Sequence, residues 1–327
     1  MIHLQKQPER DFIVLNLTDT HLTLDEWQST HPFSAIFTET VRELIRRNKP
    51  DLITLTGDLT MPVPGKEMAY ARLADFLESF GIPWAPVWGN HDNENTRDEL
   101  LRVLEGFSAH RHFLFEEGDP ALGLGNYIIC VDEGDRTVTG LILVDTHDRV
   151  RLDDDTLHAQ PVYAKLLPAQ LAWYEEQVCA LTEKGCLDTM LFMHIPIYAY
   201  RLAFAAAFGG DPSSVASAFP SCSALPGTWR HGYEDTVGIQ LEDICSHPVD
   251  DHVFEVIRRL GSTRHVIAGH DHVNSWMIRY QGVQLIYALK TGPGTYWHPK
   301  LNGGTIIRIG HNGVRSVTHD FIDPTRI

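Results

Sequence analysis

The sequence predicts an α/β fold organised on a largely parallel sheet, from three observations. Aliphatic and β-branched runs of strand length alternate with helical patterns from residue 12 to residue 90. The chain has 327 residues, 43% of them hydrophobic, enough for a large buried core. Clusters of Asp, Asn and His stand at the ends of the apolar runs, where the loops of such a sheet converge.

"FIVLNLTD" (12–19) is the first predicted strand. Phe37, Val41, Leu44 and Ile45 then fall at i, i+4, i+7 and i+8, one face of an amphipathic helix. "DLITLTGD" (51–58) is a second strand, and Tyr70, Leu73, Ala74 and Leu77 repeat the helical spacing, with Gly81 as the expected C-cap. "PWAPVWGN" (83–90) is a third. Strands joined by helical crossovers pair in parallel. Farther on, "NYIICVDE" and "TVTGLILVD" read as neighbouring strands, followed by the polar loop "THDRVRLDDDT". A helix is predicted from Pro168 to the stop at Gly185, then the strand "DTMLFMH".

From 198 to about 250 the periodicity fades into a stretch rich in Ala, Ser, Gly and Pro, with one short helix before Gly209. A segment of that length without strong elements is a functional excursion or a mobile one. Val253, Val256, Ile257 and Leu260 mark a further helix, and "RHVIAG" a strand. "WMIRYQGVQLIYAL", "GGTIIRIG" and "GVRSVTHDFI" read as antiparallel strands with Gly-containing turns. The expectation is one domain over 1–327 with the excursion at about 198–250.

The formal charge is −16, which argues against a nucleic-acid polymer as partner, because no basic face is available to release phosphate counterions. No run approaches the ~18 apolar residues of a membrane span. The start "MIHLQKQPERDFIVL" lacks the features of a secretory leader, and the expected location is cytoplasmic. The five cysteines (Cys130, Cys179, Cys186, Cys222, Cys245) form no Cys-x-x-Cys pair and read as reduced thiols.

The chemistry lies at the strand ends. Asp19 and His21 follow the first strand in "LTDTH", Asp58 the second in "LTGD", Asn90 and His91 the third in "WGNHD". His194 ends "LFMH", and His270 and His272 follow "VIAG" in "GHDH". Singly, such residues are turn chemistry. Together they deliver oxygen and imidazole donors from five strands, a set suited to Mn, Fe or Zn without thiolates. One aspartate bridging two ions, with His and Asn on either side, suits a pair about 3.5–4 Å apart.

The blocks "DTH … GD … GNHD … MHIP … GHDH" resemble the calcineurin-like metallophosphoesterase superfamily and span Asp19 to His272. The resemblance implies a four-layer α/β/β/α sandwich of two mixed sheets around a dinuclear metal centre. It implies that Asp19, His21 and His272 hold one metal ion, that Asn90, His194 and His270 hold the second, and that Asp58 bridges them. It implies a catalytic, non-ligand role for His91, facing the substrate. The implied activity is hydrolysis of a small phosphate ester by a metal-activated hydroxide. Asp92 and Asp271 are expected to orient imidazoles or to be turn residues.

Departures narrow the branch. "GDLTMPVPG" lacks the Asp-Arg pair of the superfamily's protein phosphatases. The position three residues after the bridging aspartate, a tyrosine ligand in purple acid phosphatases, is Met61. The stretch "GHDHVNSWMIRYQGVQLIYALKTGPGTYWHP" is similar to purple-acid-phosphatase-like proteins that lack that tyrosine. "GDLT … GIPWAPVWGNHD" is also similar to the cyclic-nucleotide phosphodiesterases, the alternative activity. A non-catalytic binding scaffold is the third reading, disfavoured by the intact donor set. His147, His231, His247 and His252 read as outside the site, and Phe204, Phe208 and Phe219 as a lid, a contact surface or a small core.

Overall fold

The computed structural model describes residues 1–152, 161–212 and 230–326. The first half contains β1 (Ile2–Gln5), β2 (Phe12–Leu17), α1 (Pro32–Asn48), β3 (Leu52–Thr56), α2 (Lys66–Glu78), β4 (Trp84–Val87), α3 (Asn90–Asn93) and α4 (Arg97–Phe107). Next come β5 (Tyr127–Glu133), β6 (Arg136–Leu143), β7 (Arg149–Val150), β8 (Val162–Tyr163), α5 (Pro168–Glu183), β9 (Thr189–Met193) and α6 (Ala199–Ala207). The last part holds α7 (Val253–Leu260), β10 (Thr263–Ala268), β11 (Met277–Tyr280), β12 (Val283–Tyr287), β13 (Gly303–Gly310) and β14 (Gly313–Phe321).

Two mixed sheets result, ordered β1-β5-β6-β9-β10-β12-β11 and β14-β13-β2-β3-β4. In the five-stranded sheet β2, β3 and β4 run parallel because α1 and α2 return the chain between them. β13 and β14 close its edge as an antiparallel hairpin, as do β11 and β12 in the larger sheet. β3, β4 and β9 are buried at every position, which is why they read as continuous apolar runs rather than alternating ones.

Three apolar layers define a four-layer α/β/β/α sandwich. Between the sheets, Val14, Leu52 and Val87 of one meet Ile129, Phe192 and Ile286 of the other. Outside the small sheet, α1, α2 and α4 cover Leu15, Ile53 and Leu55 with Phe37, Leu73 and Phe107. Outside the large sheet, α5, α6 and α7 place Tyr174, Phe204 and Ile257 over Leu191, Val266 and Trp276. Among the described residues no helix is long and apolar enough to cross a membrane.

Two local expectations change. α2 ends at Glu78, with Ser79 as its cap, and Gly81 follows in a left-handed turn whose N–H reaches the Glu78 carbonyl. Phe204 is not lid material but fully buried core of α6, with Phe208 packed beside it. Phe219 and Cys222 lie outside the described residues.

Candidate metal centre

The C-terminal ends of β2, β3, β4, β9 and β10 converge at the seam of the two sheets. The first two loops are stitched together by backbone bonds from Asp19 N to Gly57 O and from His21 N to Asp58 O, both 3.1 Å. Asp19, His21, Asp58 and His270 all have positive φ, at 53°, 53°, 52° and 77°. Each such residue costs about 1–3 kcal/mol and persists where the surroundings over-determine it, as at functional sites. The approach is close enough to require glycine: a Cβ on Gly269 would lie 2.2 Å from Thr18 Oγ1.

The buried side chains form two groups that share Asp58. Asp19, His21, Asp58 and His272 make one; Asp58, His194 and His270 make the other. Asn90 joins the second, its Oδ1 3.1 Å from His194 Nε2. The bend in "GHDH" thus sends His270 and His272 to different groups, whereas a continuing strand would set both on one face.

Each carboxylate has one oxygen tied to the backbone and one aimed inward. Asp19 Oδ2 accepts from His270 N (3.0 Å) and Asp58 Oδ1 from His91 N (2.8 Å). Asp58 Oδ2 faces His194 Nε2 at 3.2 Å and His21 Nε2 at 3.4 Å. His194 donates Nδ1–H to the Thr56 carbonyl (2.7 Å), and His272 Nδ1–H to the Tyr296 carbonyl (2.9 Å). Their Nε2 lone pairs therefore point into the clusters. Around His194, Nε2, the Asn90 oxygen and the Asp58 oxygen converge on one point that needs a cation or a proton on Nε2 to hold them together. Asp19 Oδ1 and His270 Nε2 are likewise buried without a hydrogen-bond partner. Such an arrangement is costly unless a cation or proton stands between the acceptors. The donor set fits two oxygen- and nitrogen-ligated ions.

The electrostatics agree. Burial holds His21 down at about 3, and burial with the neighbouring His194 lowers His270. Burial acts on His194 in the same direction, but the Asp58 carboxylate overrides it and raises the imidazole to about 10. Asp19 and Asp58 stay well below the ordinary carboxylate range: burial opposes this, and the surrounding imidazoles prevail. With no cation, the carboxylates draw a proton to His194.

His91 belongs to neither group. Its backbone N–H serves Asp58, while its ring is part exposed (29%), edge-on to His21 at 5.4 Å. Its Nδ1 lies 3.1 Å from Glu94 Oε1, off line for a hydrogen bond.

Asp92 and Asp271 are buried, and among the described residues neither hydrogen-bonds an imidazole. Asp92 accepts from Gly89 N, Leu59 N and Tyr70 Oη, clamping the loops after β3 and β4. Asp271 accepts from Cys245 N and Tyr287 Oη. Backbone carbonyls orient His194 and His272 instead. His147 is anchored away from the clusters, its Nε2 2.9 Å from Gln170 Oε1. His231 and His252 are exposed beside Glu234 and Glu255, and His247 is buried against the Val249 carbonyl.

Three neighbours of the centre, Tyr163, Tyr296 and Lys290, escape sequence reasoning, and a fourth, Met61, fills the position where purple acid phosphatases have a tyrosine. Met61 Sδ lies 3.2 Å from His21 Nδ1, Tyr296 stacks on His272 at 4.1 Å and Tyr163 stands edge-on to His270 at 4.3 Å. Buried Lys290 donates to the Asp19 carbonyl. Tyr296 and Lys290 lie in "LKTGPGTYWHP", whose glycines are the available signal: a Cβ on Gly294 would lie 2.2 Å from the Thr20 carbonyl.

The chain is similar to several known proteins. The chain is 25% identical over 325 residues to the phosphatase DCR2 of Saccharomyces cerevisiae, covering 94% of this chain and 52% of that one. It is 24% identical over 285 residues to probable inactive purple acid phosphatase 28 of Arabidopsis thaliana, covering 80% and 63%. A probable cyclic nucleotide phosphodiesterase of Psychrobacter arcticus is 28% identical over 198 residues, covering 54% and 68%. The chain thus spans between half and two thirds of the length of the first two relatives. Among solved structures, a dimetal phosphatase from Danio rerio superposes with a TM-score of 0.55 at 16% identity, covering 96% of this chain and 99% of that one. The family model for calcineurin-like phosphoesterase matches residues 12–274, from the first strand of the centre to the loop carrying His272, and the chain belongs to that family.

Proposed function

We propose that the chain is a dinuclear-metal-dependent phosphoesterase hydrolysing small phosphate esters. The observation that carries this reading is the convergence of buried acceptor atoms on two points that share Asp58. Asp19, His21 and His272 would hold one ion and Asn90, His194 and His270 the other, with Asp58 between them. When bound, the ion pair polarises the phosphoryl oxygens and brings the pKa of the attacking water toward neutrality. The chain's own residues do the rest. Asp58 and Asp19, each with one oxygen tied to backbone, fix the spacing of the two sites. His91, part exposed at the rim, donates a proton to the departing oxygen or a hydrogen bond to the phosphoryl group.

Several relatives carry "inactive" in their names. The complete donor set supports activity here. The similarity to cyclic nucleotide phosphodiesterases supports a second reading, a cyclic diester substrate. Metal analysis combined with hydrolysis of 4-nitrophenyl phosphate, bis(4-nitrophenyl) phosphate and cyclic AMP tests both. We expect two Mn, Fe or Zn ions per chain and turnover of the monoester. Preferential turnover of cyclic AMP selects the second reading. A metal-free protein in which Asp58→Asn changes nothing measurable removes both.

A further inference from the structure

The loop after β6 builds a feature that the metal centre does not use. β7 and β8 form a short antiparallel pair that sets Arg149 directly opposite Tyr163. Cross-strand partners share a face, and here the Arg149 guanidinium lies over the Tyr163 ring at 4.7 Å. Its Nη2 also donates to the Tyr163 hydroxyl at 3.2 Å. The same ring stands edge-on to His270, at 4.3 Å between centroids. Metal-site imidazole, tyrosine and exposed guanidinium therefore follow one another outward.

This arm is keyed to the catalytic loops. At its base Asp145 accepts from Asn93 Nδ2 (2.8 Å), on the helix that carries Asn90 and His91. Thr146 Oγ1 accepts from Ile195 N (3.0 Å), the residue after His194. His147 turns the chain with φ 58° and is held by Gln170. Ala164 N closes the pair on the Asp148 carbonyl at 3.0 Å. The Asn93 and Ile195 bonds tie the arm to the loops carrying Asn90 and His194, and the Gln170 bond ties it to α5.

Among the described residues the Arg149 charge forms no ion pair, although it reaches Asp148 and partly offsets the rise of that carboxyl. Asp148 and Glu94 are nearby, close enough that burial, and then Glu94, raise the Asp148 carboxyl. Even so, among the described residues no carboxylate lies within ion-pair distance of Arg149, which stacks on tyrosine instead. Lys290, the other cation at the centre, is buried and committed to the Asp19 carbonyl. On a chain with a net charge of −16, an exposed guanidinium desolvated on one face beside the centre is suited to an anion.

We propose that Arg149, carried on Tyr163, forms an anion subsite that takes a second anionic group, carboxylate or phosphate, on the leaving portion of the substrate. The inference rests on the phosphoesterase reading and narrows it to phosphate esters that bear a further negative charge. Tyr163 is a positioning residue: its ring holds the guanidinium flat and its hydroxyl orients the fork.

The test is a binding measurement on the manganese-loaded full chain with two phosphonates, 3-phosphonopropanoate and propylphosphonate, which differ in the second charge. Wild type is expected to prefer 3-phosphonopropanoate by about tenfold or more, the range of a charge-assisted hydrogen bond. Arg149→Met should abolish the preference while leaving propylphosphonate affinity unchanged, which also reports an intact fold and centre. Arg149→Lys should retain part of the preference, and Tyr163→Phe should lose part of it. The proposal is overturned if wild type shows no preference, if Arg149→Met keeps it, or if that variant weakens both ligands equally. If the preference obeys Arg149 but no phosphate ester is hydrolysed, the phosphoesterase reading fails and the subsite stands. If 4-nitrophenyl phosphate is turned over but the preference ignores Arg149, the reverse holds.

Discussion

His194 Nε2 lies 3.2 Å from Asp58 Oδ2, inside a fully buried pocket where the Asp58 charge raises the imidazole to about 10. The folded pKa exceeds the ordinary value near 6.5, so the interaction is fully present below that value and is lost as pH rises through about 10. A cation bound at His194 must displace that proton. Metal binding to the metal-free protein at pH 7 should therefore release close to one proton, and affinity should rise by up to about tenfold per pH unit below the raised pKa. Titration calorimetry in two buffers of different ionisation enthalpy reads the proton directly. Because burial holds His21 and His270 neutral, they add nothing to the count. Identical heats in the two buffers would contradict the assignment of His194 as the proton-carrying donor.

His91→Ala separates catalysis from metal holding. The His91 ring joins neither donor group, and the contact with Asp58 is made by the backbone N–H, which alanine keeps. Metal content should stay at the wild-type level while kcat falls about 10²–10⁴-fold, the usual worth of a general acid. Elemental analysis alongside steady-state kinetics decides. Loss of metal in proportion to loss of rate would make His91 a ligand or a structural residue.

The proposed ligand residues were legible because most of them stand just past an apolar strand, so strand recognition and site recognition were one act. Asp19, Asp58, Asn90, His194 and His270 all stand within three residues of a strand's last residue. The bend at His270 and His272 was also legible, because the apolar run stops at Gly269 and a strand continued through both histidines would set them on one face. Tyr163 could not be found this way. Its place depends on a two-residue ladder joining it to Arg149, too short for any periodicity and followed by no motif. Helix α4 was not read from the sequence, although its Thr96–Glu99 capping box stands there, Thr96 Oγ1 accepting from Glu99 N at 3.3 Å. The Asp92 and Asp271 roles stayed hidden because their partners, Tyr70 and Tyr287, come from other elements and only folding brings them together.

Gly89→Ala tests how tightly the β4 loop closes on Asp58, the proposed bridge. The backbone at Gly89 has φ −95°, open to any residue, so conformational strain is not at issue. The obstacle is space: an added Cβ would stand 2.2 Å from Asp58 Oδ1 and 2.3 Å from Asp58 N. Asp58 must move for the variant to fold. Metal stoichiometry should fall and the apparent metal affinity drop at least about tenfold, a loss of ~1.4 kcal/mol. Full metal loading with wild-type affinity would show that the bridging position tolerates displacement.

Asp92→Asn asks whether the clamp beneath the centre is structural. Asp92 is buried, its carboxyl raised to about 7 by burial and then by the Asp58 charge. It accepts from Gly89 N at 2.8 Å, Leu59 N at 3.2 Å and Tyr70 Oη at 2.7 Å. Asparagine has one acceptor oxygen where the carboxyl has two, and its NH2 group would face donors. At least one buried N–H then loses its partner, at about 1–3 kcal/mol. The variant should unfold at lower temperature than wild type, with the deficit growing when metal is removed, because bound ions hold the same two loops from the other side. Calorimetry of both proteins with and without chelator gives the four values needed. An equal deficit in both states would mean that the clamp and the centre do not share these loops energetically.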